Sequence, residues 1–251
     1  MNSNDFYSIP LWYISFKKNQ KLENELSSIG FKNVNFFEAV DGRKLKPDEL
    51  LKDKIISIRT YNDLTTKQRS DHIGIPGLGA IGCTLSHFNL WKKCVDENLK
   101  NIIIVEDDIS LHRIKNKDLE KIINIIDDPN KGFISVNSLF PHRIKKQTTF
   151  YGTHFCILSN NICKVLIDNV FPIDVQVDAY ISHLNKMNKI NIEGYKLFDQ
   201  KLHLSSIQDF CIKCRLPSSD IFFILIIIII ISVIIFLYYK YKKCKTKCPL
   251  Y

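Results

Sequence analysis

Four consecutive branched apolar residues, Ile102-Ile103-Ile104-Val105, run straight into three carboxylates, Glu106-Asp107-Asp108. A strand that is apolar on both faces has to be covered on both faces, which is the situation of a central strand in a largely parallel sheet with helices on either side. Such sheets take their ligands at the carboxyl ends of the strands, and the acids fall at that end. This one heptapeptide therefore constrains the fold class and points to a candidate site.

The rest of residues 9–210 alternates short apolar runs with helical patterns, as an α/β domain does. Strands are expected at Leu11–Phe16, Val34–Ala39, Asn101–Val105, Phe133–Val136 and Phe155–Leu158. Helices are expected at Gln20–Ile29, stopped by Gly30, at residues 118–127, at Asn161–Val170, and at Ala179–Asn188 with Asp174 and Asp178 near its start. Leu85, Phe88, Trp91, Cys94 and Val95 recur at helical spacing and form the apolar stripe of another helix. Residues 43–80 are polar, with Pro47, Pro76 and glycines at 74, 77 and 79, and read as a long irregular functional loop.

The chain has 251 residues and a net charge of +9, from 35 basic against 26 acidic side chains. Five of the lysines lie in residues 240–251, which leaves the first 239 residues at +4. A domain so nearly balanced, with no basic stripe interleaved with aromatics, does not read as a nucleic-acid binder. Before that tail, Ile221 to Tyr239 carries no charge and a single hydroxyl, Ser232. At 1.5 Å rise per residue the stretch is long enough for a transmembrane helix, with Tyr238 and Tyr239 as an interfacial belt and Lys240, Lys242 and Lys243 as anchors.

The expected organisation is a catalytic domain over 1–210, a juxtamembrane linker over 211–220, a membrane span over 221–239 and a basic tail over 240–251. Met1–Asp5 is polar, and Lys17 and Lys18 follow the first apolar stretch in place of a cleavage site, so no signal peptide is legible. Together with the lack of any Asn-x-Ser/Thr sequon, this places the soluble part in the cytosol behind a single-pass C-terminal anchor. The lysines beyond the span favour the opposite orientation. Of the eight cysteines, Cys211 and Cys214 form a C-x-x-C and Cys244 and Cys248 lie in the tail. A four-cysteine zinc site would have to reach across the membrane, and juxtamembrane acylation is the alternative for the tail pair.

Three adjacent carboxylates repel one another unless solvent, a basic neighbour or a cation offsets their charge. Glu106 and Asp108 project to one side of an extended chain and Asp107 to the other. Glu106-x-Asp108 is thus a candidate pair for one hard divalent cation bound together with phosphate oxygens; a solvated acidic turn is the alternative.

Several blocks in sequence order give that pair a context. Phe37-Glu38-Ala39-Val40-Asp41-Gly42, then Gly79-Ala80-Ile81-Gly82-Cys83-Thr84-Leu85-Ser86-His87 with Trp91, then Ile104-Val105-Glu106-Asp107-Asp108 resemble successive blocks of glycosyltransferase family 25. Gly152-Thr153-His154-Phe155, Val177-Asp178-Ala179-Tyr180-Ile181, and Gln200 with Ser205-Ser206-Ile207 are similar to its later ones. The resemblance covers roughly residues 9–209.

It implies a GT-A-like, Rossmann-like fold, a nucleotide-sugar donor that is usually UDP-galactose, and Mn²⁺ or Mg²⁺ at Glu106 and Asp108. It also implies inversion at the anomeric carbon, for which the acceptor hydroxyl needs a general base on the opposite face. Asp178 is the candidate, with Asp174 in reserve; a helix N-terminal acid is the alternative reading of Asp178. Asp41, Gly42, Ser86, His87, Asp107 and Gln200 are candidate donor-binding positions, although Asp41-Gly42 also reads as a plain turn and His87 as a structural hydrogen-bonding residue. Two positions depart from the family pattern. Lys17-Lys18-Asn19-Gln20-Lys21 stands where members usually carry arginines, and Ala80 where many carry an acid.

The function expected is a metal-dependent, inverting hexosyltransfer, with galactose as the sugar, from a UDP-sugar to a glycan, a lipid-linked sugar or a hydroxylated protein side chain. A catalytically silent, membrane-tethered relative that binds a nucleotide or glycan is the alternative.

Overall fold

The protein is represented by a computed structural model that describes residues 2–67, 71, 73–136, 150, 152–200, 226–236 and 238. It divides into two compact units, Met1–Asp209 and Phe210–Tyr251. In chain order the first unit holds α1 (Ser3–Phe6), β1 (Leu11–Ser15), α2 (Gln20–Ile29), β2 (Val34–Glu38), a 3-10 turn (Gly42–Lys44), α3 (Pro47–Lys52), α4 (Ile58–Thr66) and α5 (Leu78–Asp96). There follow β3 (Asn101–Glu106), β4 (Ile109–Ser110), α6 (Asn116–Ile126), β5 (Lys131–Ser135), β6 (Phe155–Ser159), α7 (Asn160–Asn169), α8 (Val177–Lys186), β7 (Asn191–Tyr195) and β8 (Asp199–Gln200).

Six strands form one sheet in the order β2-β1-β3-β6-β5-β7. β1 runs parallel to β2 and β3, and β5 parallel to β7, while β6 is antiparallel to both of its neighbours. The sheet is largely parallel, as the sequence requires, with one reversed strand. β3 sits inside it and buries both faces. Ile102 and Ile104 join the core layer beneath α5, α7 and α8 with Trp91, Leu166 and Ile181, whereas Ile103 and Val105 join the opposite layer with Leu22 and Leu26 of α2 and Ile122 and Ile126 of α6. The run of branched side chains is thus divided between two cores by the alternation of the strand.

Residues 43–80 are not an irregular loop. Pro47 opens α3 with Asp48 and Glu49 in its first turn, and Ser57 caps α4 by accepting from the Thr60 N–H. Leu50, Ile56 and Ile75 anchor this segment in the core beneath α5. The helices are too short for periodicity to reveal them, and their caps are the signals that were available.

The transmembrane helix expected over 221–239 is not borne out. Among the described residues no helix is long and apolar enough to cross a membrane. Residues 226–236 and 238 are helical. The remaining positions of 221–239, the linker 211–220 and the tail 240–251 with its cysteines lie outside the described residues. A single-pass C-terminal anchor is therefore not supported among the described residues, nor are the membrane localisation and cytosolic placement derived from it.

One backbone contact couples the Asp41-Gly42 turn to the start of α5. A Cβ on Gly42 would lie 2.0 Å from the Leu78 carbonyl oxygen, and one on Gly82 would lie 2.4 Å from the Val40 oxygen and 2.8 Å from the Gly42 nitrogen. Both obstacles are backbone, so relief requires the turn and helix to separate. Gly82→Ala is expected to destabilise the domain by about 1–3 kcal/mol, the range for overpacking, read as a lowered midpoint in thermal or urea unfolding. An unchanged midpoint would show that the two segments are not packed this closely.

Candidate functional site

The site is set by the strand register. β1 and β3 are parallel with Ile14 opposite Glu106, so Ser15, the last residue of β1, lies beside Asp107, and its hydroxyl donates to Asp107 Oδ2 at 2.5 Å. β6 is antiparallel to β3 with Phe155 opposite Val105, so the chain just before β6 arrives at the carboxyl end of β3. There the Glu106 N–H donates to the His154 carbonyl at 3.0 Å, and the Thr153 hydroxyl donates to Glu106 Oε1 at 2.5 Å. β4 and β8 pair with Ile109 opposite Gln200, which brings the Gln200 amide onto Asp108 Oδ2 at 2.5 Å. Each acid of the triplet thus receives a hydrogen bond from a different strand end.

Glu106 follows Ile102 and Ile104 onto the face covered by α5. His87 on that helix is 1% exposed and places Nε2 3.2 Å from Glu106 Oε1. One turn earlier, Cys83 brings its Sγ into the same group, and the ligand atoms of Cys83, His87 and Glu106 all lie within 4.8 Å of one another. Ser86 turns away: its hydroxyl donates to the Gly82 carbonyl and accepts from the Val40 N–H, fixing the residue before the Asp41-Gly42 turn. Asp41 accepts from the Arg43 guanidinium at 2.7 and 3.0 Å, and that guanidinium lies over the Phe16 ring.

Asp178 lies in the first turn of α8. Its Oδ2 accepts from the Gly152 N–H at 2.9 Å and its Oδ1 from the Ala179 N–H at 2.7 Å. The electrostatics tie it to the triplet. Burial, followed by the Glu106 charge, raises the Asp178 carboxyl above its ordinary value against the pull of those two N–H groups. Burial likewise raises Asp108, to about 6, with Glu106 adding to it. For Glu106 burial acts in the same direction, but the hydrogen bonds from His87 and Thr153 outweigh it and leave the group below the ordinary carboxylate value. The Cys83 thiol is pushed up by burial and then by the charges of Glu106, Asp178 and Asp108.

The structure therefore brings Glu106, Asp107, Asp108, His87, Gln200 and Asp178 into one neighbourhood, with Ser86, Asp41 and Gly42 shaping the adjacent turn. Asp174 is elsewhere. It accepts from the Ser57 hydroxyl and pairs with Arg59 at 3.4 Å, on the wall of a separate cleft of about 450 Å³ shared with Tyr180 and His183. Ser15, Thr153 and Cys83 are site residues that were not singled out individually from the sequence. Ser15 carried a usable signal, as a hydroxyl ending an apolar strand, and Cys83 another, as a metal-ligating residue one helical turn from a histidine.

Asp108 Oδ1 is buried and has no hydrogen-bond partner among the described residues. An unpartnered carboxylate oxygen flanked by two further acids suits a hard cation, so this donor set fits Mn²⁺ or Mg²⁺. Glu106 differs in that Oε1 already accepts from Thr153 and faces His87.

The family model described as glycosyltransferase family 25 (LPS biosynthesis protein) matches residues 9–181. Relatives include a glycosyltransferase 25 family member of Drosophila melanogaster, 32% identical over 108 residues, covering 43% of this chain and 16% of that one. Procollagen galactosyltransferase 2 of Homo sapiens is 32% identical over 94 residues, covering 38% and 14%. Lipooligosaccharide biosynthesis protein lex-1 of Haemophilus influenzae is 31% identical over 147 residues, covering 48% and 46%. The match thus spans only a small part of the animal relatives and about half of the bacterial one. A solved glycosyltransferase involved in the glycosylation of the major capsid of PBCV-1 aligns over 75% of this chain and 82% of its own at 10% identity, with a TM-score of 0.37, too loose to inform the site. With more than half of its length under the family model, this chain belongs to glycosyltransferase family 25.

Proposed function

We propose that residues 1–210 catalyse inverting transfer of a hexose from a UDP-sugar to a hydroxyl of a glycan, a lipid-linked sugar or a protein side chain. The observation that carries this reading is the buried, unpartnered Asp108 Oδ1 beside Glu106 and Asp178 at the carboxyl end of a central strand. Galactose is the sugar favoured, because relatives named procollagen galactosyltransferase are among those this chain is similar to.

Asp108 would hold Mn²⁺ or Mg²⁺ directly and Glu106 would lend charge, its orientation held by Thr153 and His87. The bound cation supplies a Lewis acid for the charge that develops on the departing diphosphate. Gln200 and Ser15 hold Asp108 and Asp107 so that the carboxylates are oriented before donor arrives. Ser86 and Gly42 fix the turn that carries Asp41 towards the nucleotide. Asp178 accepts the proton of the acceptor hydroxyl as its oxygen bonds to the anomeric carbon and the bond to the diphosphate breaks. Its raised proton affinity makes it a stronger base than a solvent-exposed aspartate, while the Gly152 and Ala179 N–H groups aim the carboxylate.

Incubation of the protein with UDP-galactose, Mn²⁺ and hydroxyl acceptors tests this directly. Chelation with EDTA is expected to abolish transfer, and Asp108→Asn to lower it by on the order of 100-fold. Metal-independent transfer would remove the cation from the mechanism. Asp178→Asn is expected to lower kcat by roughly 100-fold or more with little change in UDP affinity; full transfer by this variant would place the base elsewhere. Thr153→Val keeps size and burial while deleting the hydroxyl on Glu106. It is expected to weaken Mn²⁺ binding by about 10-fold or more, measured by titration calorimetry, with far-UV circular dichroism unchanged.

A further inference from the structure

Cys83, His87 and Glu106 form a second donor set, different in chemistry from Asp108. Cys83 and His87 are four residues apart on α5 and so project from one helix face. Glu106 meets them from the end of β3, and the three ligand atoms lie within 4.8 Å of one another. Thiol, imidazole and carboxylate make a poor set for Mg²⁺ and a good one for a thiophilic divalent cation. In a tetrahedral zinc site the bond lengths put neighbouring ligand atoms about 3.5 Å apart. The His87 Nε2 to Glu106 Oε1 separation is already 3.2 Å.

His87 is 1% exposed and its Nε2 is the ring nitrogen that meets Glu106, so that nitrogen is the one placed to ligate. The three residues leave a fourth position of a tetrahedral site to be filled by water.

The surrounding field favours an ion. Glu106 brings a carboxylate to the thiol and imidazole, and its negative charge attracts a divalent cation that can displace the thiol proton. On binding, the S–H bond breaks, its proton passes to solvent, and the thiolate bonds to the metal.

We infer that Cys83, His87 and Glu106 constitute a binding site for a thiophilic divalent cation, zinc above all, distinct from the hard-cation position at Asp108. The site stands whether or not the domain transfers sugar, because its test reads metal ligation and not turnover.

The test titrates the full chain, with Cys211, Cys214, Cys244 and Cys248 replaced by serine, with Cd²⁺ as the zinc surrogate. A thiolate-to-cadmium charge-transfer band in the ultraviolet is expected to saturate near one equivalent. Cys83→Ser is expected to abolish the band and Asp108→Asn to retain it. No saturating band, or an equal band in Cys83→Ser, would overturn the proposal. A measurement on the same serine background without the Cys83 change covers the case of a misfolded variant. X-ray absorption of the protein loaded with one equivalent of Zn²⁺ is expected to show one sulfur among nitrogen and oxygen ligands, and a first shell without sulfur would refute the site.

Discussion

The restraint of three adjacent carboxylates is the interaction on which the site depends. Left to themselves, Glu106, Asp107 and Asp108 would splay into solvent to reduce repulsion. Instead Ser15 holds Asp107, Thr153 and His87 hold Glu106, and Gln200 holds Asp108. These partners come from β1, the entry to β6, α5 and β8. The carboxyl end of β3 is thus where otherwise separate parts of the chain meet, and the parallel β1–β3 pairing with the reversed β6 is what makes them meet there.

Restraint also differentiates the acids. Glu106 lies closest to donors and is the one left below the ordinary carboxylate value, while Asp108 has a single side-chain amide on one oxygen and is raised to about 6. One acid is charged and occupied; the other keeps a buried oxygen without a partner. A motif written as E-x-D treats the two as equivalent, and the packing around them does not.

How much of this was legible in the sequence depends on the range over which the physics acts. β3, α2 and the α5 stripe follow from local periodicity and Gly30, and the structure has them at Asn101–Glu106, Gln20–Ile29 and Leu78–Asp96. The acid triplet was legible because a central strand fixes what its end presents. The short helices α3 and α4 were hidden because a few residues cannot display a period of 3.6, although Pro47 and Ser57 marked their starts. Ser15 and Thr153 acquire their roles only through register between strands distant in sequence, which no local pattern encodes. The Ile221–Tyr239 stretch shows the reverse case. Composition there suggested a span, and among the described residues no helix is long and apolar enough to be one. By sequence Asp178 was the candidate base and Asp174, four residues earlier, the reserve. The helix N-terminus of α8 separates them: Asp178 accepts from Gly152, whereas Asp174 points to Ser57 and Arg59.

The two departures from the family pattern bear differently on the site. Ala80 is 3% exposed, and its carbonyl accepts from the Thr84 hydroxyl within α5. No member of the carboxylate-holding set contacts it through a hydrogen bond, so the restraint of the triplet does not require an acid at that position. The lysine segment is nearer to the chemistry. Lys17 follows Ser15 by two residues and its N–H reaches the Ser15 hydroxyl at 3.5 Å, while Asn19 caps α2 and Lys18 lies 3.7 Å from Glu23. A lysine there offers a point charge where an arginine offers a planar fork, so it can attract a diphosphate without fixing its orientation. On the transferase reading, orientation of the diphosphate must then come from elsewhere. The groups rigid enough to supply it are those held at the end of β3.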